Sequence, residues 1–181
     1  MLFRSSRFEP LISAVFARTG VPGGATAKEF SATLVLAMGP VMAAWGVFAL
    51  ALNCWIAGWV TLLSGRLARP WPDVARHLGL PRWTIMVFAL LFALTLSTGA
   101  IRLLAMTAAA ALGAALALVG LAILHWRSRG SPARAGILIA TYGACILVFP
   151  WPLVLLAGLG FAELATPNGL RPPANPSTPN A

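Results

Sequence analysis

Five side chains with hydrogen-bonding chemistry stand in or beside apolar runs: Asn53, Trp55, Thr95, Arg102 and Tyr142. An amide, hydroxyl, indole or guanidinium in apolar surroundings is costly unless it finds a partner. The chemistry these residues offer is recognition, either of a ligand or of polar groups on neighbouring helices. Catalytic constellations are not legible. The sequence has no His-Glu-x-x-His, no Ser/His arrangement of the intramembrane-protease kind and no pair of aspartates within apolar runs. Glu163 ends an apolar run, where solvent satisfies it, and His77 reads as a solvated surface residue. Cys54 and Cys145 lie inside apolar runs and read as small hydrophobes. With two histidines far apart in sequence, no metal-binding spacing occurs. No enzymatic activity, cofactor or metal is expected.

The elements that must position these residues are membrane helices. Of the 181 residues, 59% are hydrophobic and 9% charged, against about 25% charged in a soluble domain. The net charge of +9 is carried in short segments between apolar runs, which is the pattern of topology-setting loops and not of a nucleic-acid surface. The expected fold is all-α: a polytopic helical membrane protein with about four crossings and an N-terminal amphipathic helix.

Residues 1–29 form the amphipathic, interfacial segment. Phe8, Leu11, Ile12, Val15 and Phe16 share one helical face, flanked by Arg4, Arg7 and Arg18. Residues 30–65 then run without a charged side chain, enough for one crossing of roughly 20 residues. Pro40 is expected to mark the joint between a lead-in helix and a span over 40–63. On that span Trp45, Phe48, Leu52, Trp55 and Trp59 form one stripe. Gly39, Ala43, Gly46, Ala49, Asn53 and Ala57 form another, nearly opposite. Small residues permit close helix packing in lipid, so the small stripe is expected to face other helices and to give Asn53 a partner there.

A second span is expected over 83–98 and a third over 103–124, the latter with Ala109, Gly113, Ala117 and Gly120 as a close-packing stripe. Asp73 is placed to cap a short surface helix over 74–79, and Trp71 and Trp83 suit the headgroup level. The last apolar run, 135–163, is broken at Pro150 and Pro152. It reads as one broken crossing, with a shallow hairpin as the alternative. The helical domain thus covers 30–164, followed by a disordered, proline-rich tail over 165–181. Loops 66–82 and 127–134 carry most of the basic residues, which assigns them to one, cytoplasmic, side and Arg102 to the other.

The order of Pro72-Asp73, Leu80-Pro81-Arg82-Trp83, the small-residue third span and Phe149-Pro150-Trp151-Pro152, followed by Gly158-Leu159-Gly160 and Glu163, resembles the YybS-like family of bacterial membrane proteins of unknown function. The resemblance covers about residues 35–165. It implies the bacterial cytoplasmic (inner) membrane and a chain corresponding to the C-terminal part of longer members. It also implies a distant similarity to the substrate-binding components of energy-coupling-factor vitamin transporters, an analogy of fold. Family knowledge assigns no ligand residues. Two functions are therefore expected in competition. One is a transport-type component that binds a small molecule through Asn53, Trp55, Thr95, Arg102 and Tyr142. The other is a structural or assembly partner of another membrane protein, with no substrate of its own. The partners expected are the lipid bilayer and a second copy or another membrane protein, and no nucleic acid.

Overall fold

The computed structural model describes residues 14, 25–66, 73–167, 169 and 170. The amphipathic helix expected around residues 8–16, Trp71 and the tail from 171 onward lie outside the described residues. Those described build six helices and no strand: α1 Ala25–Leu63, α2 Val74–His77, α3 Thr84–Leu94, α4 Gly99–Arg127, α5 Arg134–Leu147 and α6 Trp151–Ala165. Two of these are long and apolar enough to cross a membrane, through Leu36–Leu63 of α1 and the whole of α4.

α4 is the post on which the others stand. Its alanine-rich sequence favours helix throughout, and its buried residues include Ala105, Ala114, Leu116, Ala117, Val119, Gly120, Ala122 and Ile123. Leu156, Gly160 and Leu164 of α6 complete this core. The expected small-residue stripe is used as such: Ala117 and Gly120 are buried, and Ala109 and Gly113 half-buried.

The crossing of α4 and α6 is set by two glycines. A Cβ on Gly120 would lie 1.9 Å from the carbonyl oxygen of Leu156, and one on Gly160 would lie 2.1 Å from that of Leu116. Backbone therefore packs on backbone, reciprocally, and the pairing 116/160 and 120/156 makes the helices antiparallel. α3 reverses into α4 through the short connection 95–98, giving an antiparallel helical hairpin.

α1 runs the same way as α4. Gly39 lies against Thr107 and Leu103, and Asp73 is ion-paired to Arg129 just past the end of α4. Leu63 lies about 36 Å along α1 from Gly39, and the residues from 63 to 73 span at most about 36 Å. Were α1 reversed, they would have to bridge about 65 Å. α1 ends in a Schellman motif: the Gly65 N–H donates to Leu62 O at 3.1 Å and the Arg66 N–H to Thr61 O at 3.2 Å, with Gly65 at φ 66°.

Three expectations are revised by these elements. Pro40 does not separate two helices; it lies inside the single helix α1, because losing one backbone donor does not stop a long apolar helix that continues on both sides. α3 ends at Leu94 instead of 98. The Thr95 and Ser97 hydroxyls donate to Phe92 O and Leu94 O, each at 2.6 Å, turning the chain four residues before the expected end. α3 is therefore about 16 Å long, roughly half the 30 Å of a bilayer core. The double-proline interruption is the joint between α5 and α6, which at 14 and 15 residues reach about 21 and 22 Å.

Candidate functional site

The five recognition residues fall at separate places. Asn53 is exposed on α1, and no hydrogen bond joins its amide to another described residue. Trp55 stacks on Trp59 with ring centroids 5.9 Å apart and is half-exposed. Thr95 is occupied as the hydroxyl that ends α3. Arg102 is exposed in the first turn of α4 and is thus helical, not in a loop. Tyr142 lies on α5 at the opposite end of α4, against His125. Arg102 and His125 are separated by about 35 Å along α4. Thr95 and Arg102 share one end of the bundle.

On α1, the half-buried residues are Gly39, Pro40, Ala43, Ala44, Gly46, Val47, Phe48, Ala49, Ala51 and Gly58. The small-residue stripe is thus half-covered in its first turns only. Asn53 and Ala57 on the same stripe are exposed, because α1 diverges from close contact beyond its middle. No helix among the described residues covers Asn53. The aromatic stripe faces outward at Trp45, Leu52, Trp55 and Trp59.

The densest polar arrangement sits at the C-terminal end of α4. Arg129 donates through both terminal nitrogens to the two Asp73 carboxylate oxygens, each at 2.5 Å. This bidentate bond takes the carboxylate away from the capping role expected of it: Asp73 holds the N-cap position of α2 but makes no side-chain cap. A charge-assisted fork outweighs a single backbone N–H. The Arg129 hydrogen bond holds the Asp73 carboxyl below its ordinary value of 3.8, and Asp73 in turn raises the Arg129 guanidinium. The pair ties the two basic loops together at one end of the bundle. His77, exposed as expected, places Nδ1 3.0 Å from Asp73 O.

His125 lies one helical turn inside this end. Its Nδ1 is 3.0 Å from Leu121 O, so Nδ1 carries a hydrogen and donates it to that carbonyl. The Tyr142 hydroxyl lies 3.4 Å from Nε2. The pairing is not legible in the sequence, because 17 residues and a helix boundary separate the two. Elsewhere, Arg82 donates to the carbonyls of Thr166 and Pro167 at the end of α6. There the Leu170 N–H donates to the Glu163 carboxylate. These contacts tie down the end of α6; among the described residues, no group of three or more His, Cys, Asp or Glu stands together to hold a metal.

Between α3 and α4 lies an open apolar groove of about 550 Å³, lined by Leu80, Pro81, Trp83, Val87, Leu91 and Leu112 among others. It contains none of the five recognition residues. No family model matches the chain, and no curated protein or solved structure matches it.

Proposed function

We propose that this chain is an integral membrane subunit whose role is structural: it stands in the bilayer as one member of a larger membrane assembly. The observation that carries this reading is α1. Its Leu36–Leu63 stretch is long and apolar enough to cross a bilayer, yet none of its described residues is fully buried by the rest of the chain, and Asn53 near its middle is exposed. In water such a surface would aggregate. In lipid the apolar part is at home, but an unpaired amide is not. A neighbouring helix supplies what the amide lacks. The fixed polar contacts at the end of α4 suit the same role, since Asp73 and Arg129 staple two loops together.

A second reading, a transport-type component binding a small molecule, is favoured by the apolar groove between α3 and α4 and by the resemblance to the YybS-like family. The two are separated by cutting the full chain from its membrane in native-lipid nanodiscs. The assembly reading expects more than one polypeptide per particle and no metabolite-dependent rise in melting temperature. Single-chain particles whose melting temperature rises with one class of metabolite would overturn it in favour of transport.

A further inference from the structure

We infer that the chain lines a water-filled inlet, running from the C-terminal end of α4 to the middle of the bilayer, where α6 ends and α3 begins. This goes beyond the assembly reading and rests only on α4 crossing the membrane. Depth is read along α4. Arg102 and His125 bracket residues 103–124, which carry no charge. These span about 33 Å, close to the roughly 30 Å of a hydrocarbon core, so the middle of the bilayer falls near Gly113. Gly160 packs between Leu116 and Gly120. α6 therefore starts at Trp151 level with the end of α4. Its last residue, Ala165, lies about 7.5 Å beyond Gly160 and so level with Gly113. α3 occupies the other half of the membrane. The Phe88 ring is 4.0 Å from where a Cβ on Gly113 would stand, and Thr84, Val87 and Leu91 share a groove with Ala108, Leu112 and Ala115. The antiparallel hairpin thus sets Thr84, the first residue of α3, beside Ala115.

Two non-helical stretches consequently lie at membrane depth. Residues 78–83 descend from α2, which Asp73 and Arg129 hold at the end of α4, to the start of α3 near the middle of α4. Thr166, Pro167, Gly169 and Leu170 follow the end of α6. Arg82 joins the two, donating to the carbonyls of Thr166 and Pro167. The Glu163 carboxylate, two residues before the end of α6, accepts from the Leu170 N–H. Irregular backbone at this depth is tolerated only where protein buries it or a wet cavity meets it. An intramembrane guanidinium or carboxylate has the same two choices. The rest of the chain does not bury these groups, since Gly79, Pro81, Arg82, Trp83 and Pro167 are exposed. Water is the occupant that fits them, and residues 78–83 give it a path inward from the basic loops. A lipid tail or an apolar helix in its place would leave the guanidinium and the peptide groups beside it unsolvated.

The test uses the full chain in its own membranes, opened to both faces, with Cys54→Ala and Cys145→Ala removing the native thiols. A charged, membrane-impermeant thiosulfonate attacks only a thiolate, which forms in water and not in hydrocarbon. Single cysteines are placed in the inlet (Gly79→Cys, Leu80→Cys, Thr166→Cys), on α1 (Trp45→Cys, Leu50→Cys) and in a loop (Ala133→Cys). Trp45 and Leu50 are exposed, and the contact of Gly39 with Leu103 and Thr107 sets them at the same depth as the inlet. The inlet cysteines are expected to react within about tenfold of the loop cysteine, and about a hundredfold faster than the two on α1. Inlet cysteines as slow as those on α1 overturn the inference. Reaction that appears only after detergent strips away another protein overturns it too, in favour of a partner that buries these stretches. The unsubstituted chain in nanodiscs supplies a second readout. The amides of Gly79, Leu80 and Arg82 should exchange with deuterium within minutes while residues 103–124 stay protected, and equal protection of both overturns the inference.

Discussion

Adding one methyl group at the crossing of α4 and α6 is expected to force the two helices apart. A Cβ at Gly120 would meet Leu156 O at 1.9 Å, where ordinary contacts lie at 3.4–4 Å. The obstacle is backbone, which has no rotamer to escape into, so Gly120→Ala requires the helices to separate by about 1.5 Å locally. A radial gap of 0.5–1 Å already forfeits about a quarter to a half of each dispersion contact. Around this crossing those contacts belong to Leu116, Val119, Ile123, Leu156 and Leu164, all buried. Overpacking of a well-packed site costs about 1–3 kcal/mol, and the backbone location puts this case at the top of that range, about 3 kcal/mol. Gly160→Ala faces the reciprocal obstacle at 2.1 Å from Leu116 O and should cost about the same. The double variant distinguishes this geometry from a generic loss of stability. Once one methyl has opened the crossing, the second fits. The pair should therefore cost about 3–4 kcal/mol instead of the sum of roughly 6 kcal/mol. Gly158→Ala, on the same helix but with open space around it, is the control and should stabilise by up to about 1 kcal/mol through helix propensity alone. Denaturation in mixed detergent micelles, followed by helix circular dichroism, reads all four. A neutral Gly120→Ala, or strictly additive costs in the double variant, would refute the crossing geometry.

Other outcomes follow from the same structure. Asp73 is held below its ordinary carboxylate value by Arg129, so its contribution is present above that value and is lost as pH falls through the depressed one. The melting temperature of the native protein should drop as pH falls below the ordinary 3.8 by more than that of Asp73→Asn, which starts lower and has no such carboxylate to titrate. Equal slopes would contradict the pairing. Arg82→Ala removes the donor to the carbonyls of Thr166 and Pro167; amide exchange at the last turn of α6 should accelerate while α4 is unaffected. Replacing both Thr95 and Ser97 by leucine removes the hydroxyls that bond back to Phe92 O and Leu94 O. The helix signal in amide exchange or NMR shifts should extend beyond Leu94, and an unchanged end would show that the turn is imposed by Gly99 instead.

How far the sequence speaks for itself differs between elements. The packing face of α4 was legible at Ala109, Gly113, Ala117 and Gly120, because small residues at helical spacing mark close approach whatever approaches. That the approaching element is α6, meeting it at Leu156 and Gly160, was not legible, since periodicity names a face and not its neighbour. Asp73 was recognisable as a helix-start residue, yet its carboxylate belongs to Arg129, 56 residues on, where only the folded chain brings a better partner. The candidate recognition residues were chosen for polarity within apolar runs. That criterion finds unusual residues but cannot tell which end of a helix they occupy. Thr95 terminates its helix, Arg102 begins the next, and Tyr142 lies at the far end of α4. For α1 the small stripe was visible, but its half-burial up to Ala49 and exposure at Asn53 depend on where the helices diverge.

The central claim is that α1 and α4 are held within a bilayer. It is tested most directly by washing membranes that carry the chain with alkaline carbonate or 6 M-scale urea (about that concentration removes peripheral proteins by weakening their burial) and floating them on a density gradient. The chain is expected to rise with the lipid fraction after both washes. Release into the soluble fraction, with the lipid fraction left empty of the chain, would contradict the account.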